Sequence, residues 1–304
     1  MKIVLTGGTG FIGGSVLGRL ISAGHHVTSL SRRAPQGPAL SGVEHLVWDA
    51  RTQGPWSERV DGADAVIHLA GEPIAAGRWT TERKTILASS RIDSTRSIVE
   101  AISRGGKKPA VLISASAVGY YGNVEHGEVD ETHARGHGFL PDLCERWEES
   151  ARLAERVSVR VVMLRIGIVL GKEGGALSKM LLPFKLFVGG PLGSGRQGFS
   201  WIHREDVAGI IDYVLSHPGI SGPVNVTAPN PVSMNEFCKA LGRAMGRPAW
   251  LPAPAFALKL MLGELSGLLL DGQRVHPKKL LDAGFRFRHP DLDEAIRAVL
   301  KTRV

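Results

Sequence analysis

Glycines near the amino terminus constrain the fold of this chain more than any other feature. Residues 3–5 form a short apolar run that predicts a strand, glycines follow at positions 7, 10 and 13, and a helical pattern begins at position 11. Gly7 allows a tight turn, Gly10 lets the backbone approach a ligand, and Gly13 lets the helix pack closely on the strand. The helix N-terminus then faces a negative charge, as a dinucleotide diphosphate requires. The predicted contacts are Gly7, Gly10, Phe11, Ile12 and Gly13.

The composition is typical of a globular protein in a reducing compartment. Of the 304 residues 43% are hydrophobic, which is enough for a large α/β domain with a smaller lobe. Cys144 and Cys238 form no disulfide framework and have no metal-ligand spacing, so we expect a cytoplasmic location. The longest apolar stretch, residues 256–270, is interrupted by Lys259 and Glu264. We therefore expect no membrane partner.

The charge raises the question of nucleic-acid binding. The net charge is +8, but the lysines and arginines are scattered and no nucleic-acid-binding motif accompanies them. An anionic small molecule accounts for some of this charge. We therefore expect a small-molecule ligand and no nucleic acid.

Strand-like and helical patterns alternate through the first half of the chain. This alternation predicts an α/β fold in which helices cover both faces of a parallel sheet, a doubly wound Rossmann fold. The predicted strands are residues 3–5, 26–30, 46–48, 65–69, 110–114 and 160–165, and the predicted helices are 11–23, 79–104 and 138–156.

The second half of the chain has a different pattern. Residues 171–198 are rich in glycine and predict a loop, and a strand at 201–203 and a helix at 206–216 follow. Ser233 and Glu236 predict a capping box that opens a helix ending at residue 245. Residues 248–254 predict a stiff linker. We assign residues 1–170 and 199–228 to a cofactor-binding Rossmann domain, and residues 171–198 and 229–304 to a smaller C-terminal substrate lobe.

The end of the second predicted strand indicates which dinucleotide binds. NAD-binding folds place an Asp or Glu about twenty residues after the glycines, where it binds the ribose hydroxyls. Here the chain reads Ser31, Arg32 and Arg33, without an acid. Arginine pairs with a 2′-phosphate through charge-assisted hydrogen bonds, so these residues favour NADP(H). The alternative is a solvated pair of arginines in a loop.

Several motifs resemble those of one family. The segments TGGTGFIG (6–13), HLAG (68–71), SASAVGYYG (114–122) and WIHREDVA (201–208) resemble extended short-chain dehydrogenases/reductases, which include nucleotide-sugar epimerases. The segments CERWE (144–148), RIGIVLG (165–171), LPF (182–184), GGP (189–191) and GQRVHP (272–277) are similar to the atypical "epimerase family protein" branch. The resemblance covers nearly the whole chain.

The resemblance implies further contacts with NADP(H). Leu69 and Ala70 would pass the diphosphate and ribose, Arg91 would touch the cofactor, and Val169 would lie near the nicotinamide. The alternatives are a surface arginine for Arg91 and core packing for Val169.

The resemblance also shows where the usual catalytic residues are replaced. The family uses a tyrosine with a lysine four residues later, assisted by a serine or threonine at the end of the fifth strand. Ser116 falls at the serine position, whereas the tyrosine and lysine positions fall on Leu140 and Cys144, which cannot do this work. Tyr120 is the candidate proton donor instead. A structural tyrosine and a nucleophilic Cys144 thiolate are the alternatives.

Two other groups of residues are candidates for catalysis or metal binding. His203 and Asp206 form either a catalytic pair or a connection between the lobe and the sheet. The eleven histidines lack metal-ligand spacing, so we expect no metal.

These observations leave two functions open. The first is an NADP(H)-dependent oxidoreductase or epimerase that acts on a small carbonyl or sugar-like substrate without the usual tyrosine and lysine. The second is a non-catalytic NADP(H)-binding sensor or scaffold. We expect a monomer or a homodimer.

Overall fold

Strands and helices follow one another along the chain much as the sequence patterns predict. The computed structural model describes residues 1–33 and 40–301. The strands are β1 (Lys2–Thr6), β2 (His26–Ser31), β3 (Val43–Val47), β4 (Ala65–His68), β5 (Val111–Ala117), β6 (Arg160–Ile166), β7 (Ile168–Leu170), β8 (Gly198–Phe199), β9 (Trp201–His203), β10 (Gly222–Val226) and β11 (Val232–Ser233).

The α-helices lie between the strands in the first half of the chain and follow one another more closely toward its end. They are α1 (Phe11–Ser22), α2 (Thr81–Arg104), α3 (Phe139–Arg152), α4 (Gly175–Lys185), α5 (Arg204–Ser216), α6 (Met234–Met245), α7 (Ala255–Leu262), α8 (Gly267–Leu270), α9 (Lys278–Asp282) and α10 (Leu292–Lys301). Short 3-10 turns occupy Pro55–Arg59, Val118–Tyr121, Leu153–Val157 and Gly263–Ser266. The chain after β10 forms a small, mostly helical region.

The main sheet has seven parallel strands in the order β10-β6-β5-β4-β1-β2-β3. The chain runs outward from β1 through β2 to β3, and then returns to β4 on the other side of β1. The order therefore reverses between β1 and β4, and a crevice opens there at the carboxyl ends of the strands. This is the position at which doubly wound sheets bind their ligands.

The central strands β1, β4, β5 and β6 are buried on both faces, which explains their continuous apolar runs. Ile3 and Leu5 pack in one cluster with α1 and α5, whereas Val4 packs in another with α2. The predicted doubly wound α/β fold is thereby confirmed. A third cluster joins α4, α6 and α10 in the helical region. The division into two domains stays a prediction.

Some predicted elements were wrong or incomplete. Residues 171–198 are not wholly a loop, because α4 occupies Gly175–Lys185 and even contains Pro183. The glycines that suggested a loop lie mainly before and after this helix. The edge strand β10 was missed, since its five residues include a glycine, a proline and an asparagine. The capping box of Ser233 and Glu236 is confirmed.

The described helices were also considered as possible membrane spans. In residues 1–33 and 40–301, no helix combines the length and the apolar character needed to cross a bilayer.

Candidate functional site

The glycine turn lies in the crevice between β1 and β4. Gly7 has a φ of +74°, and a Cβ built on it would lie 2.8 Å from the carbonyl carbon of Leu69. A Cβ on Gly13 would lie 2.0 Å from the Gly7 carbonyl oxygen, so this glycine allows the helix to approach the turn. Among the described residues, a Cβ on Gly10 meets a single neighbour within 4 Å, the same oxygen at 3.2 Å. The space beside Gly10 is therefore open to a ligand.

The first turn of α1 presents backbone donors to this space. Gly10 is the N-cap residue, and no described side chain caps the helix there. The first turn, which includes Phe11, Ile12 and Gly13, holds no acidic residue. The N–H groups of a first turn have no partner within the helix, and the helix dipole makes this end positive. The turn therefore fits an anionic diphosphate, as the sequence predicts for a dinucleotide.

The ring of Phe11 supports a second glycine-rich segment. A Cβ on Gly171, Gly174 or Gly175 would lie 2.6, 2.9 or 3.0 Å from an atom of this ring. The Arg204 guanidinium lies 5.3 Å from the ring centroid. The segment after β7 is thus seated on the first turn of α1, and Phe11 is partly buried by it.

A buried threonine connects the ends of β1 and β4. Thr6 Oγ1 accepts hydrogen bonds of 3.2 Å from the N–H groups of both Leu69 and Ala70, and it lies 2.7 Å from His68 Nδ1. Because the hydroxyl already accepts twice, its own proton is directed to His68. Burial lowers the pKa of His68 to about 4, so the imidazole is neutral. Leu69 and Ala70 are held beside the glycine turn, as predicted for cofactor contacts.

The basic residues at the end of β2 meet an acid. The Ser31 hydroxyl donates to the Arg33 carbonyl oxygen at 2.6 Å, and Arg33 is exposed. Arg32 Nη1 donates to Glu72 Oε1, also at 2.6 Å, and the Arg32 side chain is 70% exposed. Sequence analysis missed Glu72, because it follows β4 rather than β2. The predicted 2′-phosphate site therefore contains a carboxylate.

Arg91 braces the segment that follows β4. Its Nη2 donates to the Glu72 carbonyl oxygen at 2.9 Å, and its Nη1 donates to the Leu87 carbonyl oxygen at 3.1 Å. The guanidinium lies 5.2 Å from the Trp147 ring centroid, and burial lowers the pKa of Arg91. Arg91 is thus mostly buried rather than a solvated surface arginine. Its contact with a cofactor stays a prediction.

Val169 lies in the core where the sheet meets the helical region. It is 8% exposed and pairs with Ile202 across β7 and β9. Its carbonyl oxygen would lie 2.9 Å from a Cβ built on Gly175. Core packing is therefore observed, and the proximity of Val169 to a nicotinamide stays a prediction.

Ser116 belongs to a buried charged network. Its hydroxyl donates to Glu148 Oε1 at 2.8 Å. Arg165 donates to the two carboxylate oxygens of Glu148 at 2.8 and 2.9 Å, and both charged side chains are only 2% exposed. Sequence analysis assigned no role to this pair. An arginine directly after the apolar run 161–164 of β6 is the signal that a buried partner exists, since an unpaired buried charge is costly.

The two consecutive tyrosines have different surroundings. Tyr121 is buried, and its hydroxyl donates to Asn225 Oδ1 at 2.7 Å and accepts from Arg165 Nη1 at 3.0 Å. Burial raises the pKa of Tyr121 to about 12, which suits a structural role. Tyr120 is only partly buried, and its ring centroid lies 3.5 Å from Arg165 Cζ. Tyr120 is therefore the better candidate for chemistry, and its catalytic role stays a prediction.

Apolar packing fills the positions of the usual tyrosine and lysine. Leu140 and Cys144 both lie against Gly119, where a Cβ would be 3.6 Å from Leu140 Cβ and 3.8 Å from Cys144 Sγ. Cys144 is buried, and burial raises the pKa of its thiol to about 12. A thiolate is thus disfavoured, which argues against the nucleophile alternative.

One group of potential metal ligands lies together in the described ranges, although the sequence spacing did not indicate it. His203, Glu205 and His289 bring their donor atoms within 4.8 Å of one another. However, His203 Nδ1 accepts the Glu205 N–H at 3.2 Å, so the proton stays on its other nitrogen, and Arg288 pairs with Glu205 at 2.9 Å. Asp206 accepts the backbone N–H groups of Arg288 and His289 at 2.7 and 3.0 Å. This arrangement fits a connection between α5 and the C-terminal segment better than a metal site.

The chain is similar to known proteins along its whole length. A human epimerase family protein, SDR39U1 isoform 2, has a crystal structure with NADPH; it is 34% identical, with a TM-score of 0.89 and full coverage of both chains. The epimerase family protein YfhF of Bacillus subtilis is 43% identical, covering 100% of this chain and 99% of the relative. The chloroplastic SDR39U1 homolog of Arabidopsis thaliana is 41% identical, with 99% and 87% covered.

Two family models match different parts of the chain. Residues 253–299 match a domain of unknown function, DUF1731. Residues 3–226, which span the whole seven-stranded sheet and the glycine turn, match the NAD dependent epimerase/dehydratase family. With this match and relatives about 40% identical over nearly their whole length, the chain belongs to the NAD dependent epimerase/dehydratase family.

Proposed function

We propose that this protein binds NADPH in the crevice between β1 and β4. The observation that carries the proposal is the close approach of Gly13 to Gly7, which directs the uncapped first turn of α1 into an open space beside Gly10. The human relative crystallised with NADPH supports this choice of cofactor. In the proposal, the cofactor contacts are Gly7, Gly10, Phe11, Ile12, Gly13, Ser31, Arg32, Arg33, Leu69, Ala70, Arg91 and Val169.

The basic end of β2 supports NADPH over NADH. Arg32 and Arg33 are exposed at the carboxyl edge of the sheet, two strands from the segment that carries Leu69 and Ala70. A guanidinium presents several hydrogen-bond donors to a phosphate. The 2′-phosphate is the group that distinguishes NADPH from NADH. We expect NADPH to bind at least about tenfold more tightly, which corresponds to roughly 1.4 kcal/mol.

We further propose that the protein is an oxidoreductase or epimerase acting on a small carbonyl or sugar-like substrate. The bound cofactor would supply or accept a hydride. Tyr120 would hold the exchanged proton on its hydroxyl, while the Arg165 cation stacked on its ring stabilises negative charge that develops there. Ser116 would orient the substrate oxygen, for which its hydroxyl must leave Glu148.

One observation favours the second candidate, a non-catalytic NADPH sensor or scaffold. The hydroxyl of Ser116 is already bound to Glu148, and Leu140 and Cys144 offer no proton donor for exchange. A site of this kind binds the cofactor without consuming it. We also propose a cytoplasmic monomer or homodimer, which is the expectation from the sequence.

Calorimetric titration of the purified protein with NADPH and NADH tests the binding proposal. We expect saturable binding of NADPH and a preference of about tenfold or more over NADH. Equal affinities for NADPH and NADH would show that Arg32 and Arg33 do not bind the 2′-phosphate. A screen of carbonyl compounds and sugar nucleotides, followed by the absorbance of the nicotinamide, then separates the two functions. Oxidation of NADPH, or conversion of a sugar nucleotide to its epimer seen by product chromatography, supports the enzyme, and stable binding with neither outcome across the screen supports the sensor.

A further inference from the structure

An acid from another part of the chain occupies the predicted 2′-phosphate site. Arg32 follows β2, and Glu72 follows β4, two strands away in the sheet. The carboxylate and guanidinium are 2.6 Å apart, although the two residues are separated by 40 positions. The sequence at the end of β2 contains no acid, but the fold supplies one to the same place.

The backbone of Glu72 is held firmly by α2. Its N–H donates to Ser90 Oγ at 3.2 Å, and its carbonyl oxygen accepts from Arg91 Nη2 at 2.9 Å. The next carbonyl oxygen, that of Pro73, accepts from Arg83 at 2.6 Å. The carboxylate therefore cannot leave Arg32 by a shift of its own backbone without breaking these bonds.

The side chain of Arg32 is the more mobile partner of the ion pair. Its exposed fraction is 70%, against 21% for Glu72. A second arginine also faces Glu72, because Arg83 Nη1 lies 3.5 Å from Glu72 Oε2. Arg83 keeps the carboxylate partly neutralised when Arg32 moves away. Arg32 can thus turn toward an incoming ligand while Glu72 stays in place.

These contacts define a competition at the site. A 2′-phosphate carries negative charge, so it competes with the Glu72 carboxylate for Arg32 and is repelled by that carboxylate if both remain. A cofactor without this phosphate meets no such repulsion. A carboxylate is moreover the group that accepts ribose hydroxyls in NAD sites.

We infer that Glu72 is a specificity-determining residue that competes with the 2′-phosphate of NADPH for Arg32 and thereby limits the preference for NADPH over NADH. The inference rests on the proposed binding of NADPH. It assigns Glu72 a role opposite to that of Arg32, since removing the acid strengthens discrimination and removing the arginine weakens it.

Calorimetric titration of Glu72→Gln with both cofactors tests this role. Because the ion pair is partly exposed, we expect NADPH to bind about fivefold more tightly than to the unchanged protein, with NADH within about twofold. Glu82→Gln is the matched control, because this exposed acid lies in the first turn of α2 and bonds to Thr80. It should change neither affinity.

Two additional variants make the result decisive. Glu72→Ala removes the carboxylate by truncation and must shift the affinity for NADPH in the same direction. In an Arg32→Ala background, Glu72→Gln should raise that affinity by less than in the unchanged protein, because the competition for Arg32 no longer exists and only the direct repulsion between carboxylate and phosphate is relieved. Thermal unfolding verifies that each variant is folded.

The possible failures can be told apart. If the unchanged protein binds neither cofactor, the proposed function is wrong and the inference falls with it. If the unchanged protein binds NADPH but Glu72→Gln binds it equally or more weakly, the inference alone is overturned. An equal gain for NADH and NADPH also overturns it, since the effect would not depend on the 2′-phosphate.

Discussion

The hydroxyl of Ser116 donates a 2.8 Å hydrogen bond to the carboxylate of Glu148, and both side chains are buried. The serine that family resemblance assigns to catalysis therefore also stabilises a buried charge. Glu148 is held in turn by Arg165, whose guanidinium stacks on Tyr120. Stability and the proposed chemistry are linked through these four residues, and substitutions can separate the two.

Ser116→Ala should lower both stability and turnover. The change removes a hydrogen bond to a buried carboxylate, so we expect the free energy of unfolding to fall by about 1.5–3 kcal/mol. Urea denaturation measures this loss, and Ser103→Ala, at an exposed position of α2, is the control. An unchanged free energy of unfolding would show that the hydroxyl does not support Glu148.

Tyr120→Phe tests the proton donor. The change removes one hydroxyl and keeps the ring on Arg165, so packing is preserved, and we expect kcat to fall about a hundredfold. Cys144→Ala is the control for the usual lysine position, and its kcat should be nearly unchanged. If both variants turn over a substrate at the normal rate, the proton comes from another group and the assignment of Tyr120 is wrong.

Substitutions at Gly10 and Gly13 should have different consequences. Gly10→Val places a side chain in the open space beside the first turn of α1, so cofactor binding should be lost while the circular-dichroism spectrum stays native. Gly13→Ala forces a Cβ to 2.0 Å from the Gly7 oxygen, and we expect the resulting backbone shift to cost about 1–3 kcal/mol of stability.

Gly18→Ala provides the control for both glycine variants. A Cβ on Gly18 meets nothing within 4 Å, so this change in the same helix should stabilise the protein by about 0.5–1 kcal/mol and leave the cofactor affinity intact. Retained cofactor affinity in a folded Gly10→Val protein would show that the glycine turn is not the site.

The stability of the protein should fall in mild acid because of His68. Burial lowers the pKa of His68 to about 4, whereas the unfolded chain takes up this proton near pH 6.5. The stability from the neutral ring is therefore complete above pH 6.5 and is lost as the pH falls toward 4. Between pH 7 and pH 5 the loss is about 2 kcal/mol for this histidine.

Urea denaturation at the two pH values measures this dependence. Burial also lowers the pKa of His203 to about 4, so a similar loss from that histidine remains when His68 is replaced. His68→Asn should lose less stability than the unchanged protein between pH 7 and pH 5, and His126→Asn, in an exposed loop, should behave like the unchanged protein. Equal losses in His68→Asn and the unchanged protein would show that His68 does not titrate as proposed.

Features that depend on neighbouring residues could be read from the sequence. The glycine turn and the capping box of Ser233 follow from spacings of a few residues, the parallel sheet follows from the alternation of strands and helices, and each is present in the structure. Helix α4 and strand β10 were not predicted, because glycines and prolines at their ends or within them weaken the local pattern.

The pairing of charges was decided by the tertiary structure alone. Glu72 reaches Arg32 because β4 and β2 both flank β1, and Arg165 reaches Glu148 because β6 and α3 pack together. Local periodicity carries no information about which distant residues meet, since that depends on strand order and on the packing of helices against the sheet. The sequence by itself therefore determined the fold and predicted a dinucleotide site at the glycine turn, while the tertiary structure decided which charges surround that turn.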